Sequence, residues 1–465
     1  VGVQRAQWPG KSGGTPTTPE YSAQEDPATW ATRVILKRML DFFRRKKSEP
    51  PPPKRIREHQ LGPSILDASA LKVIEVLNSN GFQAYLVGGC VRDALCGVKP
   101  KDFDVATDAP LEAVSKLFRR SRIVGRRFPI VHVRFGRDLI EVSTFRQSIS
   151  DKVVHDDRGM ILRDNAFGTL QEDAFRRDFT VNALYYDPSN KEIIDFVGGV
   201  DDIKAKKIRF IGDTKTRLAE DPVRILRAIR FSAKLGFTIS PDILSSVKNT
   251  AKRLEAIPPA RLFDEFLKLF LNGYAETVWR QLRETPLANA LFPSCDPKSP
   301  LALAAMRNTD DRIFNGASIT PGFLVAVLLW DDFKARNDAK SSEDEDPAFA
   351  ALKNQQSSIA IPRRFGTFAR EVWTIQERLH KRNVRSLDRL VTHKRFRAGY
   401  DFLCLQAESD ESMRPCAEWW TAFQNADESH REALIAQLPK TSRKRNRGKS
   451  RRKTATSNGA STGTG

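Results

Sequence analysis

The stretch from Gln83 to Ala106 constrains this chain most, because a strand there runs into a two-glycine turn and a second strand carries two acids. Gln83 to Val87 reads as an apolar strand, Gly88-Gly89 as a turn, and Val91 to Cys96 as a short helix ending at Gly97. Glycine lets a backbone approach a ligand closely, and amides at a helix N-terminus attract phosphate. Taken alone, such a turn is equally well a plain connection. Thirteen residues past Gly89 stands Asp102, with Asp104 beyond Phe103. Side chains alternate along a strand, so both carboxylates face one side while Phe103 and Val105 face the other. Two acids on a buried-type strand repel each other unless a cation lies between them. Hard oxygen ligands of this kind suit Mg²⁺, with triphosphate oxygens completing its octahedron. The same pattern at Asp344 to Asp346 follows Ser341 and Ser342 in an acidic run, and reads as a solvated loop.

Phosphoryl transfer through two metal ions asks for a third acid on a neighbouring strand. Glu141, the lone acid in Leu139-Ile140-Glu141-Val142, supplies it; by itself it is as readily an outward-facing strand residue. Strands are expected over Ile130 to Phe135 and Leu139 to Phe145, and helices over Ala70 to Asn80 and Pro110 to Arg119. Residues 146–169 are polar and irregular, which predicts a mobile loop, and helical patterns dominate from about Glu172 onward. Asp221, Arg224 and Arg227 are spaced by three and fall along one helix face, where a carboxylate and a guanidinium could read a base edge. A surface ion pair is the alternative reading.

Charge bears on the partner. Lys plus Arg total 77 against 57 Asp plus Glu, a net charge of +20, and that excess suggests nucleic acid or an anionic membrane face. From Lys440 to Lys453 nine residues are Lys or Arg, so the end of the chain reads as an electrostatically sticky tail. Residues 1–28, rich in Gly, Pro, Thr and Gln, read as disordered. A short basic helix that binds a membrane surface or RNA is one reading of Trp30 to Lys47, with an arm packed on the core or a disordered segment as the equal alternative. Trp419 and Trp420 either stack on bases or pack a core. Cys90, Cys96, Cys295, Cys404 and Cys416 form no CxxC pair and read as free thiols of a reducing compartment. No run reaches the ~18 apolar residues of a membrane span.

Several motifs carry a family resemblance. Leu86-Val87-Gly88-Gly89-Cys90-Val91-Arg92-Asp93, then Lys101-Asp102-Phe103-Asp104-Val105, resembles the head domain of the polymerase-β-type nucleotidyltransferases. More narrowly it resembles the class II branch, which holds bacterial poly(A) polymerases and CCA-adding enzymes. Arg176-Arg177-Asp178-Phe179-Thr180-Val181-Asn182-Ala183 is similar to that branch's ribose- and phosphate-binding motif, and Asp195 to Gly199 with Asp202 to its hinge. Glu220-Asp221-Pro222-Val223-Arg224, with Arg217 ahead and Arg227 and Arg230 behind, resembles its base-selecting helix. Ile123-Val124-Gly125-Arg126-Arg127-Phe128 through His132-Val133 resembles a signature of the poly(A) polymerases within it. Two positions depart: Cys90 stands where Gly or Ala is expected, and Ala219 precedes Glu220 at a variable place. The resemblance covers residues 62–300, and more loosely the region to 435.

The resemblance implies an α+β fold: a small polymerase-β-like nucleotidyltransferase head, with mixed sheet and helices, followed by an all-helical neck, body and tail. The expected boundaries are 1–60 for a disordered basic arm, 61–195 for the head, 196–260 for the neck and 261–340 for the body. A helical RNA-binding region over 347–437 and a disordered tail over 438–465 complete the chain. The implied activity is template-independent transfer of AMP from ATP to RNA 3′ ends, with CCA addition to tRNA as the alternative. In that reading Asp102 and Asp104 bind two Mg²⁺ ions and Glu141 completes the metal site or positions the hydroxyl. Gly88, Gly89 and Arg92 hold the triphosphate, Arg177, Asp178 and Asn182 the sugar and phosphates, and Asp221, Arg224 and Arg227 the base. Expected partners are messenger and small RNAs and RNA-decay proteins, with no DNA and no transmembrane segment. The place is cytoplasmic, with peripheral contact at the inner membrane face open to the basic arm.

Overall fold

The computed structural model describes residues 52–59, 61–62, 64–125, 129–147, 154–155, 161–163, 167–339 and 346–438, with side chains undescribed at 154–155 and 161–163. The expected helix at Trp30 to Lys47, the segment Arg126 to Phe128 and the basic tail from Lys440 lie outside these residues.

The head is built on one eight-stranded sheet. In chain order the strands are β1 (Lys54–Ile56), β2 (Ala84–Val87), β3 (Asp104–Thr107), β4 (Ser121–Val124), β5 (Ile130–Phe135) and β6 (Asp138–Thr144). A separate two-stranded pair, β7 (Val154–His155) with β8 (Ile161–Arg163), precedes β9 (Leu184–Asp187) and β10 (Glu192–Asp195). The order across the sheet is β1-β10-β9-β2-β3-β6-β5-β4, and β3 with β6 is its only parallel pair among the described residues. Parallel neighbours need a crossover; here the Leu111–Leu117 helix and the β4–β5 strands make it.

Local chemistry sets the element ends. Asp67 caps the Ala68–Ser79 helix by accepting the Ala70 amide at 2.8 Å, and Ala70, Val73, Ile74 and Leu77 form its buried stripe. Asp195 accepts four successive amides, Val197 to Val200, at 2.9–3.1 Å, and so seats the Gly199–Lys204 helix. Gly199 must be glycine, since a Cβ there would lie 2.2 Å from the Thr180 carbonyl oxygen.

Three expectations are corrected. Helix does not take over at Glu172: β9 and β10 follow the Leu170–Arg176 helix and return the chain to the head sheet. Residues 54–56, assigned to a disordered arm, form edge strand β1 against β10, held by Arg55 and Arg57 on the buried Glu192. The polar stretch 146–169 contains β7 and β8, and a bridge from Arg146 to Phe167.

Past the head, helices follow through to Ala436, interrupted by a two-residue pairing of β11 (Lys207–Ile208) with β12 (Thr238–Ile239). One hydrophobic core is continuous from Val105 and Val142 beneath the sheet to Trp279, Trp373 and Phe402 among the helices. Phe179 joins the two parts, stacked on Phe210 at 5.0 Å and edge-on to Phe231 at 5.5 Å. Among the described residues the other face of the sheet carries a small cluster, Val87, Ala106, Phe145, Ala174, Tyr185 and Ile194, and the half beyond it is not covered by them.

Candidate active site

Residues paired across neighbouring strands point to the same face. One such row crosses all eight strands: Arg55, Ile194, Tyr185, Val87, Asp104, Glu141, His132 and Arg122. Its first half is covered by the small cluster; from Asp104 onward the described residues leave it uncovered. Asp104 and Glu141 are direct partners across the parallel β3–β6 pair. His132 Nε2 lies 3.5 Å from Glu141 Oε1 on the far side.

Asp102 joins them from just outside β3. The strand begins at Asp104, and Asp102 is exposed, so the burial argument for a cation holds for Asp104 and fails for Asp102. Alternation itself persists, with Phe103 and Val105 buried on the opposite side. Burial, then Glu141, push the Asp104 carboxyl up to about 6; Arg177 works against them and Asp102 with them. Among the described residues three carboxylates thus act on one small region, with Arg177 as the cation that opposes them at Asp104.

That imbalance is the test of a metal. No group of three or more His, Cys, Asp or Glu among the described residues is arranged to hold an ion by itself. A Mg²⁺-type ion does not require one, since it is commonly held by one or two carboxylates plus substrate phosphates. The donor set fits a cation shared with a triphosphate, and such a cation would relieve the repulsion on Asp104.

Beside the acids, β2 ends in Gly88, whose φ of 76° is open to glycine and strained for other residues. A Cβ on Gly88 would sit 3.4 Å from Arg177 Nη1. Arg177 is aimed there by two supports that sequence reasoning missed. Its Nε and Nη2 donate to Asp173 Oδ2 at 3.1 and 3.0 Å, and the Tyr185 hydroxyl donates to the same oxygen at 2.7 Å. Among the described residues Nη1 is left without a hydrogen-bond partner, facing the turn. Asp173 is buried yet held down to about 2; desolvation opposes this, and Arg177 and Arg176 outweigh it. The sequence signal for Asp173 was its spacing, three and four residues ahead of two arginines.

The remaining predicted residues form a chain of contacts. Arg92, 3% exposed, donates to Asp93 Oδ1 at 2.6 and 2.8 Å and, through Nη1, to Asn182 Oδ1. Asn182 donates to Asp178 Oδ1 at 3.3 Å, and Arg227 Nε donates to Asp178 Oδ2 at 2.8 Å. Asp178 is buried, which would raise its carboxyl; Arg227 and the Phe179 amide hold it far below the usual range. Gly89 opens the helix that carries Arg92. Gly88, Gly89, Arg92, Arg177, Asp178, Asn182 and Arg227 therefore converge.

Asp221 and Arg224 do not join that chain, and the expectation of one helix face for Asp221, Arg224 and Arg227 is corrected. The helix begins at Arg224; Asp221 is extended at φ −153°, ψ 96°, because a residue before proline is pushed out of the helical region. Asp221 instead pairs with Arg261 at 2.5 Å, and Arg224 with Glu220 at 2.6 Å. Arg217 is structural: its guanidinium ties the carbonyls of Phe175, Arg177 and Ile211 at 2.6–2.8 Å. Trp419 and Trp420 are buried against Phe423 and each other, which decides for core packing over base stacking. The five cysteines are free. Cys90 is buried with its thiol pushed up to about 12, and the turn before it is intact. No helix of the described residues is long and apolar enough to cross a membrane.

Comparison with known proteins matches three family models: "Poly A polymerase head domain" over residues 84–209, "Probable RNA and SrmB-binding site of polymerase A" over 236–298, and "Polymerase A arginine-rich C-terminus" over 345–454. Poly(A) polymerase I of Escherichia coli O157:H7 is 40% identical over 425 residues, 86% of this chain and 91% of its own. The same-named protein of Haemophilus influenzae is 40% identical over 403 residues, 81% and 89% of the two chains. A CCA-adding enzyme of Oceanobacillus iheyensis is 42% identical over only 240 residues, 51% of this chain and 58% of its own. Among solved structures, the Bacillus stearothermophilus CCA-adding enzyme in complex with CTP shares the fold, with a TM-score of 0.52, 24% identity, and 81% and 92% of the two chains covered.

Proposed function

The chain belongs to the bacterial poly(A) polymerase I family, and from that premise we propose how its residues divide the work. The protein is a template-independent polynucleotide adenylyltransferase that adds AMP from ATP to RNA 3′ ends. The 3′ oxygen of the RNA bonds to the α-phosphorus of ATP, the bond from that phosphorus to the β-phosphate oxygen breaks, and pyrophosphate leaves. The family uses a divalent metal, which we take to be two Mg²⁺ ions held by Asp102 and Asp104. When bound, such ions activate the attacking hydroxyl and neutralise the leaving pyrophosphate. Glu141, paired in register with Asp104, completes that set or orients the hydroxyl.

The triphosphate lies against Gly88 and Gly89, where the missing side chains allow close approach. The unpartnered Nη1 of Arg177 faces that turn and takes a phosphate oxygen. Arg92, Asn182, Asp178 and Arg227 form the wall behind the sugar and base. Asp221 and Arg224 read adenine, which requires each to exchange its present partner, Arg261 or Glu220, for the base edge. The convergence of Asp102, Asp104 and Glu141 on the open sheet face is the single observation that carries the reading. The proposed setting is cytoplasmic, with RNA-decay proteins as partners and contact at the inner membrane face. The membrane contact rests on the basic arm and is tested by sedimentation with anionic vesicles.

The deciding experiment offers the protein oligo(A) and a tRNA lacking its CCA end, with ATP or CTP and Mg²⁺. Extension of oligo(A) with ATP, and little use of CTP, is expected. Efficient CTP addition to the tRNA would overturn adenylate specificity in favour of CCA addition.

A further inference from the structure

Far along the chain from the acids, a cavity of about 230 Å³ lies between the Pro300–Phe314, Pro321–Leu328 and Phe396–Ser409 helices. Leu271, Phe323, Phe368 and Ala398 give it an apolar floor, and Arg312, Lys394 and Arg397 stand at its rim. The floor is preformed. Gly322 brings two helices so close that a Cβ there would meet Phe368 at 2.9 Å, and Arg395 lies over the Phe368 ring at 4.4 Å.

We propose that this cavity receives one unpaired base of the RNA strand upstream of its 3′ end, with the adjoining phosphates on Arg312, Lys394 and Arg397. The volume is many times what one water requires, and it accommodates an aromatic ring.

Charge supports the same occupant. Among the described residues Arg312, Lys394, Arg395 and Arg397 share two carboxylates, Asp401 and Glu371. The side chains of Lys394 and Arg397 are 66% and 70% exposed, and pairs so exposed are weak enough for either cation to turn to a phosphate. Stacking on aromatic rings is indifferent to sequence, which suits a strand that grows as repeated adenylate. A second hollow beside Glu371, lined by Arg370, Arg378 and His393, prolongs the basic track.

This inference rests on RNA being the acceptor, so the test separates the two. The wild-type chain is irradiated with oligo(A) bearing one photoreactive adenine well upstream of its 3′ end, and the attached peptide is identified by mass spectrometry. Attachment within residues 308–323 or 394–401, blocked by plain oligo(A) and not by ATP, is expected. Blocking by ATP alone would assign the cavity to free nucleotide and overturn the proposal, as would attachment confined to residues 84–235. Ala398→Trp, which fills the cavity, should raise the KM for long oligo(A) about tenfold, because stacking is worth ~1–3 kcal/mol per base, and Arg397→Gln, at its rim, should raise it several-fold through a lost phosphate contact. The change falls on KM rather than kcat, and Arg397→Gln also flattens the salt dependence of affinity by about 0.7 in log–log slope. Unchanged KM in both variants overturns the proposal. Failure of the wild-type chain to extend oligo(A) with ATP counts against adenylate transfer itself, and attachment is scored independently of it.

Discussion

Asp104→Asn should make the metal-free protein more stable while removing its activity. In the native chain the Asp104 carboxyl is raised from its ordinary 3.8 to about 6 by burial and by Glu141. At about 1.4 kcal/mol per pH unit, keeping it ionised costs the fold about 3 kcal/mol. Water on the open face screens the carboxylates and brings the expected gain on neutralisation to roughly 1–3 kcal/mol. The sign follows from the raised value. Above pH 6 both native and unfolded chains hold Asp104 ionised and the penalty is complete; below 3.8 both are protonated and it is gone. In EDTA at pH 7.5 the asparagine variant should therefore melt a few degrees above the wild type, and the gap should close between pH 6 and pH 4. Adding Mg²⁺ should stabilise the wild type through binding and leave the variant unmoved. A variant that melts lower in EDTA, or a gap that widens on acidification, would refute the claim that like charges are held together here for a cation.

Asp102→Ala should abolish extension with little change in melting, because Asp102 is exposed and outside the strand; retained extension would remove it from the metal set. Asp173→Asn should raise the KM for ATP by freeing Arg177. It should also remove about 2–3 kcal/mol of stability at pH 7, from a carboxyl lowered from 3.8 to about 2. Because that carboxyl is depressed, the wild-type advantage should be complete above pH 4 and vanish by pH 2, which acid titration of both proteins reads directly. Gly88→Ala should cost ~1–3 kcal/mol of backbone strain and lower kcat/KM for ATP about tenfold by placing a methyl group in the space between the turn and Arg177 Nη1. Gly81→Ala is its control: φ is 83° there with open space around the added Cβ, so an equal loss of activity in both would show that strain alone is responsible.

How much was legible depended on the range of the interactions. The pair of acids could be read because strand alternation is local, and β5 runs over the very residues its pattern marks, Ile130–Phe135. β9 and β10 were missed for a physical reason: every residue of Leu184–Asp187 and Glu192–Asp195 is buried, so neither strand alternates, and four-residue runs carry no period. The bend at Asp221 did have a local cause, Pro222, and the arithmetic of spacing by three overlooked it. Asp173 had a local sign in its spacing from Arg176 and Arg177, but what that pairing does, aiming Arg177 at Gly88 with help from Tyr185, is fixed by folding.

The two DxD stretches make the same point from opposite directions. Asp346 caps the Pro347–Gln355 helix, accepting the Ala348 amide at 2.9 Å and pairing with Arg370, so its charge is satisfied. Asp104 likewise follows an Asp by two residues but has the reverse environment: Glu141 in register beside it, Asp102 ahead of it, and Arg177 committed to Asp173 through two of its three nitrogens. A motif of two acids therefore specifies nothing until the strand next to it is known. What distinguishes a metal-binding pair from a helix cap is an acid that folding leaves without its counter-charge.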